Sequence, residues 1–202
     1  AKDNARELWV CGAAPSALLQ LSANARRAFD LAADPALIAR AFRADALLAP
    51  LLRRRPGLRI AGAWDPFECG VQAIVAQGVG DSTARMLTSR LVNRFSQALP
   101  AVLEAASFKG LGLPQSTATA LRAFARAVAR QAIDFSLPVD EVVSVVAAIP
   151  GVGESTAQYL ALRALAEPDA LPSADPVLRR MAASGTASLS ARRVMASLAQ
   201  LR

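Results

Sequence analysis

Apolar residues recur every three or four positions through most of the chain, which is the spacing of helices that bury one face. Two consecutive sets of such residues predict one helix that begins near residue 66 and a second helix over 82–95. Their inward positions are predicted to be Phe67, Val71, Ile74 and Val75 in the first, and Ala84, Leu87, Leu91 and Val92 in the second. Similar sets predict helices over 101–107 and from Ser116 through Val128. Only residues 7–11 leave room for a short strand, so the pattern predicts an all-α fold.

Aspartate followed by proline marks two helix starts in this pattern. Asp34-Pro35 and Asp65-Pro66 each place a good N-cap residue before a proline at the first helical position. The helical pattern itself is predicted to begin at Ser22, after an irregular segment over 1–21.

The most informative stretch is a helix, a glycine-containing turn and a second helix. Val142, Val145, Val146 and Ile149 predict one buried face on the first helix. Pro150 and Gly151 end that helix, and a new one restarts at Ser155 and Thr156. The first amides of the second helix lack intrahelical partners, and the glycines let a ligand approach the backbone, which suits a phosphate. An ordinary tight turn between two core helices is the alternative interpretation of the turn alone.

An aspartate follows this motif at the start of one more predicted helix. Asp175 precedes Pro176 in the sequence Leu-Pro-Ser-Ala-Asp-Pro. The local pattern favours an N-cap for Asp175, although a cap and a chemical role are compatible, because a helix N-terminus keeps a carboxylate ionised.

The turn, the continuation Thr-Ala-Gln-Tyr-Leu-Ala-Leu-Arg over 156–163 and the Leu-Pro-x-x-Asp sequence together resemble the helix-hairpin-helix superfamily of DNA glycosylases. Within it they resemble the 3-methyladenine DNA glycosylase II (AlkA) branch. This resemblance implies a monofunctional hydrolase of base-excision repair that breaks the N-glycosidic bond of alkylated bases. It implies Asp175 as the catalytic carboxylate and double-stranded DNA containing damaged bases as the partner.

The same resemblance assigns further site residues. It implies a base pocket with Tyr159, Trp64 and Ser155, where an electron-rich ring would attract a positively charged base. Ser155 stands where the family carries an aromatic residue. The predicted DNA contacts are Gly151, Val152, Gly153, Ser155 and Thr156 in the hairpin, with Gln77 and Gly78 at the minor groove. Gly78 replaces the bulky wedge of relatives, which counts against full activity.

The resemblance also predicts two helical lobes with a cleft between them. Residues 22–62 and 173–202 form one lobe, residues 63–172 form the other, and Asp175 lies where the chain crosses between them. Relatives extend further at both ends, so we expect the chain to be part of a longer protein. A monovalent cation held by the carbonyls of Ile149 and Val152 is implied, and no cofactor is expected.

Composition agrees with a polyanionic partner. The net charge is +7 with a pI near 10.9, which favours binding to phosphates. The chain has no histidine, and Cys11 and Cys69 are far apart, so the usual zinc and iron–sulfur spacings are excluded. No apolar stretch is long enough for a membrane span. We therefore expect a monomer in the bacterial cytoplasm, associated with the nucleoid.

Two other functions remain open from the residues alone. One is a DNA-binding glycosylase-like domain, catalytically weak or inactive, in a larger regulator of the alkylation response. The other is a helical interaction domain that binds no nucleic acid. Release of free base from alkylated DNA separates the enzyme from the first alternative, and a salt-dependent gel shift separates the two alternatives.

Overall fold

The computed structural model describes residues 14–46, 48–95, 99–173, 175 and 178–179. These residues contain no strand, which confirms the all-α prediction. After a 3-10 turn at Pro15–Ala17, the α-helices are α1 Leu18–Ala28, α2 Pro35–Ala41, α3 Leu48–Arg54, α4 Pro66–Ala76, α5 Asp81–Phe95, α6 Pro100–Ala105, α7 Gln115–Ala129, α8 Val139–Ala147 and α9 Glu154–Ala164. The strand considered at 7–11 and the helix predicted near Ser190 lie outside the described residues.

The two predicted aspartate caps are confirmed. Asp34 accepts hydrogen bonds from the amides of Ala36 and Leu37 at 2.8 and 3.2 Å, and Asp65 accepts one from the amide of Glu68 at 2.8 Å. The predicted start of α1 at Ser22 is wrong, because the helix already begins at Leu18. The leucines and glutamine over 18–21 are good helix formers, so they extend the helix without a buried face.

Helix α4 lies at the centre of the core and packs against α5, α7 and α9. Its four predicted inward residues are all buried, and the Phe67 ring stacks on Phe124 of α7 with centroids 5.4 Å apart. Val92 and Val145 are 45% and 40% exposed, so their predicted burial is wrong. Each stands next in sequence to a buried residue, and one step turns a helix by about 100°, away from the core.

Truncating the central aromatic of this core should strongly destabilise the protein. Phe124 is fully buried, and Phe124→Ala removes its ring from Phe67. We expect a loss of about 3–5 kcal/mol in the free energy of unfolding, measured by urea denaturation. The control Val145→Ala, at an exposed position, should change it little; equal losses for the two variants would contradict this description of the core.

Helices α1 to α3 contribute little to that core. Among the described residues, the core cluster is drawn from 67–164, whereas Ala25 and Ala49 are the buried apolar residues of 14–62. The predicted division into lobes at residue 62 is compatible with this distribution and stays a prediction.

Residues 62–64, which we call the seam, connect α1 to α9. The amide of Gly62 donates to the carbonyl of Ala28 at 3.0 Å, and the amide of Ala63 donates to the carbonyl of Arg163 at 2.6 Å. The Arg27 guanidinium donates to the carbonyls of Ala63 and Trp64 at 3.1 and 2.8 Å. A side chain at Gly62 would collide with the backbone of Arg27. The seam therefore fixes where the chain enters α4 relative to the end of α9.

Candidate functional site

The turn between α8 and α9 has the geometry expected of the predicted hairpin. Gly151 has φ of +84°, a left-handed conformation that favours glycine, and a Cβ there would lie 3.0 Å from the Cβ of Ala120. The amide of Val152 donates to the carbonyl of Ile149 at 2.9 Å and closes the turn. Gly151 is thus required by the fold of the hairpin, and Val152 is buried beneath it.

Gly153 is the N-cap of α9 and leaves the end of that helix accessible. Its carbonyl accepts hydrogen bonds from the amides of Thr156 and Ala157, and no side chain caps the helix. A Cβ on Gly153 would meet no atom within 4 Å. The space beside Gly153 is therefore open, no side chain caps the first amides of α9, and the positive end of the helix dipole favours an anion there. These contacts support a phosphate at the hairpin, which stays a prediction.

The loop after α4 lies against this hairpin. The Gln77 side-chain amide donates to the hydroxyl of Thr156, across 79 positions in sequence, and the Thr156 side chain is buried. Gly78 follows with φ of +70° and open space around its Cα. The structure thus brings together the predicted groove residues, Gln77 and Gly78, and the predicted hairpin contacts, although Gln77 uses its amide within the protein.

The two carbonyls predicted to hold a monovalent cation, those of Ile149 and Val152, belong to the same turn. The carbonyl of Ile149 accepts the hydrogen bond from Val152 and has a second lone pair for a cation. Among the described residues no group of three or more histidine, cysteine, aspartate or glutamate side chains could hold a metal. The monovalent cation at the Ile149 and Val152 carbonyls stays a prediction.

Asp175 caps a helical turn. Its carboxylate accepts a hydrogen bond from the amide of Leu178 at 2.9 Å, and its carbonyl accepts one from the amide of Arg179 at 3.0 Å. The N-cap interpretation of Asp175 is therefore confirmed. As a whole residue, Asp175 is only partly buried.

Asp175 lies close enough to Tyr159 to affect its ionisation. Burial raises the pKa of the Tyr159 hydroxyl, the Arg163 guanidinium lowers it, and the Cys69 thiol and the Asp175 carboxylate raise it further. The structure thus places the predicted catalytic carboxylate and the predicted pocket aromatic in one electrostatic environment.

Of the other two predicted pocket residues, Ser155 lies one helical turn before Tyr159 on α9, whereas no side-chain contact joins Trp64 to Tyr159 or Asp175 among the described residues. The Trp64 side chain is 46% exposed, and its ring takes part in none of the ring contacts among the described residues. Ser155 is partly buried in the first turn of α9. Their roles at a base pocket stay predictions.

Two neighbours of Tyr159 were missed by the sequence analysis. Arg163 lies one helical turn beyond Tyr159, and its guanidinium carbon is 5.5 Å from the centroid of the Tyr159 ring. Cys69 of α4 is buried, and burial raises the pKa of its thiol to about 11, despite an opposing effect of Arg163. The four-residue spacing of Tyr159 and Arg163 was a signal for their contact; the sequence carried no such signal for Cys69.

Comparison with known proteins agrees with the sequence resemblance. The family model described as the AlkA N-terminal domain matches residues 3–65. The chain is 33% identical to DNA-3-methyladenine glycosylase 2 of Escherichia coli over 157 residues, covering 70% of this chain and 54% of that protein. It is 30% identical over 177 residues to a probable bifunctional transcriptional activator/DNA repair enzyme AlkA of Mycobacterium tuberculosis, covering 80% of this chain and 36% of that protein.

The fold is also found among solved structures. The 3-methyladenine DNA-glycosylase of Archaeoglobus fulgidus superimposes with a TM-score of 0.74 at 19% identity, covering 91% of this chain and 69% of that one. The chain spans about half the length of the Escherichia coli relative. No helix within the described ranges is long and apolar enough to cross a membrane. In sequence the chain is thus similar to DNA glycosylases of the AlkA branch, and in fold it is similar to a solved 3-methyladenine DNA-glycosylase.

Proposed function

We propose that this chain carries a monofunctional DNA glycosylase activity that hydrolyses the N-glycosidic bond of alkylated bases of the 3-methyladenine type. The observation that carries the proposal is the position of Asp175, which is only partly buried and whose carboxylate lies in the electrostatic environment of Tyr159. The names of the curated relatives support a role in DNA repair. A domain without catalysis is less well supported, because the carboxylate that hydrolysis requires is present.

In this reaction the bond between C1′ and the base nitrogen breaks, and its electron pair leaves with the base. The sugar becomes an oxocarbenium ion, and water adds to C1′ and loses a proton. A fixed carboxylate stabilises the cation more strongly than the neutral sugar, which lowers the barrier. The hydrogen bond from the Leu178 amide holds the Asp175 carboxylate in place for this role.

Alkylated purines that carry a positive charge on the ring leave without acid assistance. The site would need only to hold the flipped base beside Asp175, and the effect of Asp175 on the pKa of Tyr159 supports Tyr159 as the aromatic side chain of that pocket. Tyr159 would therefore contact the flipped base, and Trp64 and Ser155 would line the rest of the base pocket.

Binding to double-stranded DNA would rest on the hairpin. The amides at the start of α9, which no side chain caps, would receive one phosphate, while the Gln77–Thr156 hydrogen bond holds the 77–80 loop beside it. The net charge of +7 adds attraction that depends on salt and not on sequence.

Release of free base from methylated double-stranded DNA, followed by chromatography, tests the activity. We expect slow release with a preference for 3-methyladenine, because Gly78 provides no wedge and Ser155 provides no ring to stack on a flipped base. A gel shift with unmodified DNA at increasing salt tests binding separately. Salt-dependent binding without any base release would favour a non-catalytic DNA-binding domain.

We predict that the chain does not cleave the strand as a lyase. A lyase needs an amine nucleophile at C1′, yet Lys2 and Lys109 are its only lysines. Lys109 lies in the turn after α6, outside the hairpin helices, whereas Glu154 and Ser155 begin α9. Borohydride added during base release should therefore trap no covalent protein–DNA adduct, and an adduct on a denaturing gel would contradict this mechanism.

A further inference from the structure

Arg163 makes two contacts with the pocket aromatic. Its guanidinium carbon stands 5.5 Å from the centroid of the Tyr159 ring, and its Nη1 donates to the Tyr159 hydroxyl at 3.3 Å. The backbone carbonyl of Arg163 accepts the hydrogen bond from Ala63 of the seam. The guanidinium therefore contacts both the ring and the hydroxyl of Tyr159, and the seam is bonded to the backbone of the same arginine.

The positive charge of Arg163 is not neutralised by an ion pair within the described ranges. The salt bridges there join Glu104 to Arg126 and Arg130. The Nε of Arg163 is buried without a hydrogen-bond partner. The Cys69 thiol of α4, on whose pKa Arg163 acts, is neutral at physiological pH, because burial raises that pKa to about 11. The ring of Tyr159 thus lies next to the positive charge of Arg163, while the negative charge of the Asp175 carboxylate also acts on the Tyr159 hydroxyl.

The charge of Arg163 changes what the ring can bind. An aromatic face attracts a cation through its quadrupole, and in Tyr159 this attraction already acts on Arg163. A positively charged base stacked on Tyr159 would be repelled by the guanidinium, whereas a neutral base would not. As the glycosidic bond of a neutral base breaks, the base takes the electron pair and becomes negative. The guanidinium of Arg163 would then attract the departing base.

We propose that Arg163 is a specificity-determining residue that weakens the preference of this site for positively charged bases over neutral ones. This inference rests on the proposed glycosylase activity. Arg163 acts through Tyr159, so a purely structural role would lower the release of both kinds of base equally.

The test compares two DNA duplexes, one with 7-methylguanine, which is cationic in the nucleotide, and one with hypoxanthine, which is neutral. Arg163→Gln keeps a hydrogen-bond donor and removes the charge, and Arg163→Lys keeps the charge. We expect Arg163→Gln to raise the ratio of 7-methylguanine release to hypoxanthine release by about three- to thirtyfold. Arg163→Lys should leave the ratio near that of the wild-type chain.

A spectroscopic measurement checks the contact without relying on activity. Tyr159 is the only tyrosine of the chain, so the absorbance of tyrosinate at rising pH reports its pKa alone. Because Arg163 lowers that pKa, Arg163→Gln should move the titration to higher pH, and Arg163→Lys should move it less. Should Arg163→Gln not fold, as judged by circular dichroism, Arg163→Met takes its place in both measurements.

The outcomes separate this inference from the proposed function. A shifted titration with an unchanged or lower release ratio overturns the specificity role and leaves the glycosylase activity intact. Equal loss of both substrates in Arg163→Gln overturns it as well. No base release from methylated or deaminated DNA by the wild-type chain overturns the proposed function, and the specificity role with it.

Discussion

Asp175→Asn is expected to abolish release of alkylated bases, by about a hundredfold or more, while binding to undamaged double-stranded DNA is kept. The anion is needed in the transition state, where C1′ becomes positive, and it mildly repels phosphates in the ground state. Asparagine caps a helix about as well as aspartate, so the turn that begins at Asp175 should persist. Release is measured by chromatography, and binding by fluorescence anisotropy.

A matched control is the same substitution at another capping aspartate. Asp34 accepts amide hydrogen bonds at the start of α2, and it lies in the part of the chain before the seam. Asp34→Asn should retain full base release. If Asp175→Asn were active, or if both variants lost activity equally, the catalytic carboxylate would have to be sought elsewhere.

Gly153→Leu is expected to weaken binding to all DNA sequences alike, by about tenfold, and to lower the free energy of unfolding by no more than about 1 kcal/mol, because leucine is a poorer N-cap than glycine. The added side chain would enter open space in the folded protein, and Gly153 has φ of −92° and ψ of 167°, which any residue adopts. The side chain would, however, stand where a phosphate approaches the first amides of α9.

Ala101→Leu serves as the control, because it adds the same apolar bulk at an exposed position of α6. Affinity for several unrelated duplexes and the midpoint of urea denaturation are measured for both variants. An affinity loss confined to certain sequences, or no loss, would mean that the hairpin is not the phosphate anchor.

The sequence was sufficient to predict helix caps, buried helix faces and turns, because each of these depends on residues that are close together along the chain. The caps at Asp34 and Asp65 follow from an aspartate next to proline, and the buried face of α4 follows from helical spacing. The turn at Gly151 follows from proline and glycine between two helical patterns. In each case the physical determinant lies within about one helical turn of the residue concerned.

Contacts between distant segments were not predictable in this way. The Gln77–Thr156 hydrogen bond joins residues 79 positions apart, and neither residue type specifies the other. Val92 and Val145 were wrongly predicted to be buried for a related reason. An apolar residue at the edge of the buried face of a helix is itself buried only if another helix covers it. The surroundings of Tyr159 likewise depend on how α4 packs against α9, which brings Cys69 near it.

The seam has a consequence for measurements of motion. Gly62 and Ala63 lie outside any helix, yet their amides donate to Ala28 on one side and to Arg163 on the other. Backbone amides in loops usually exchange their hydrogens with solvent quickly, whereas amides held by tertiary hydrogen bonds exchange only when the contact opens. The exchange rates of these two adjacent amides therefore report separately how often the segment detaches from α1 and how often it detaches from α9.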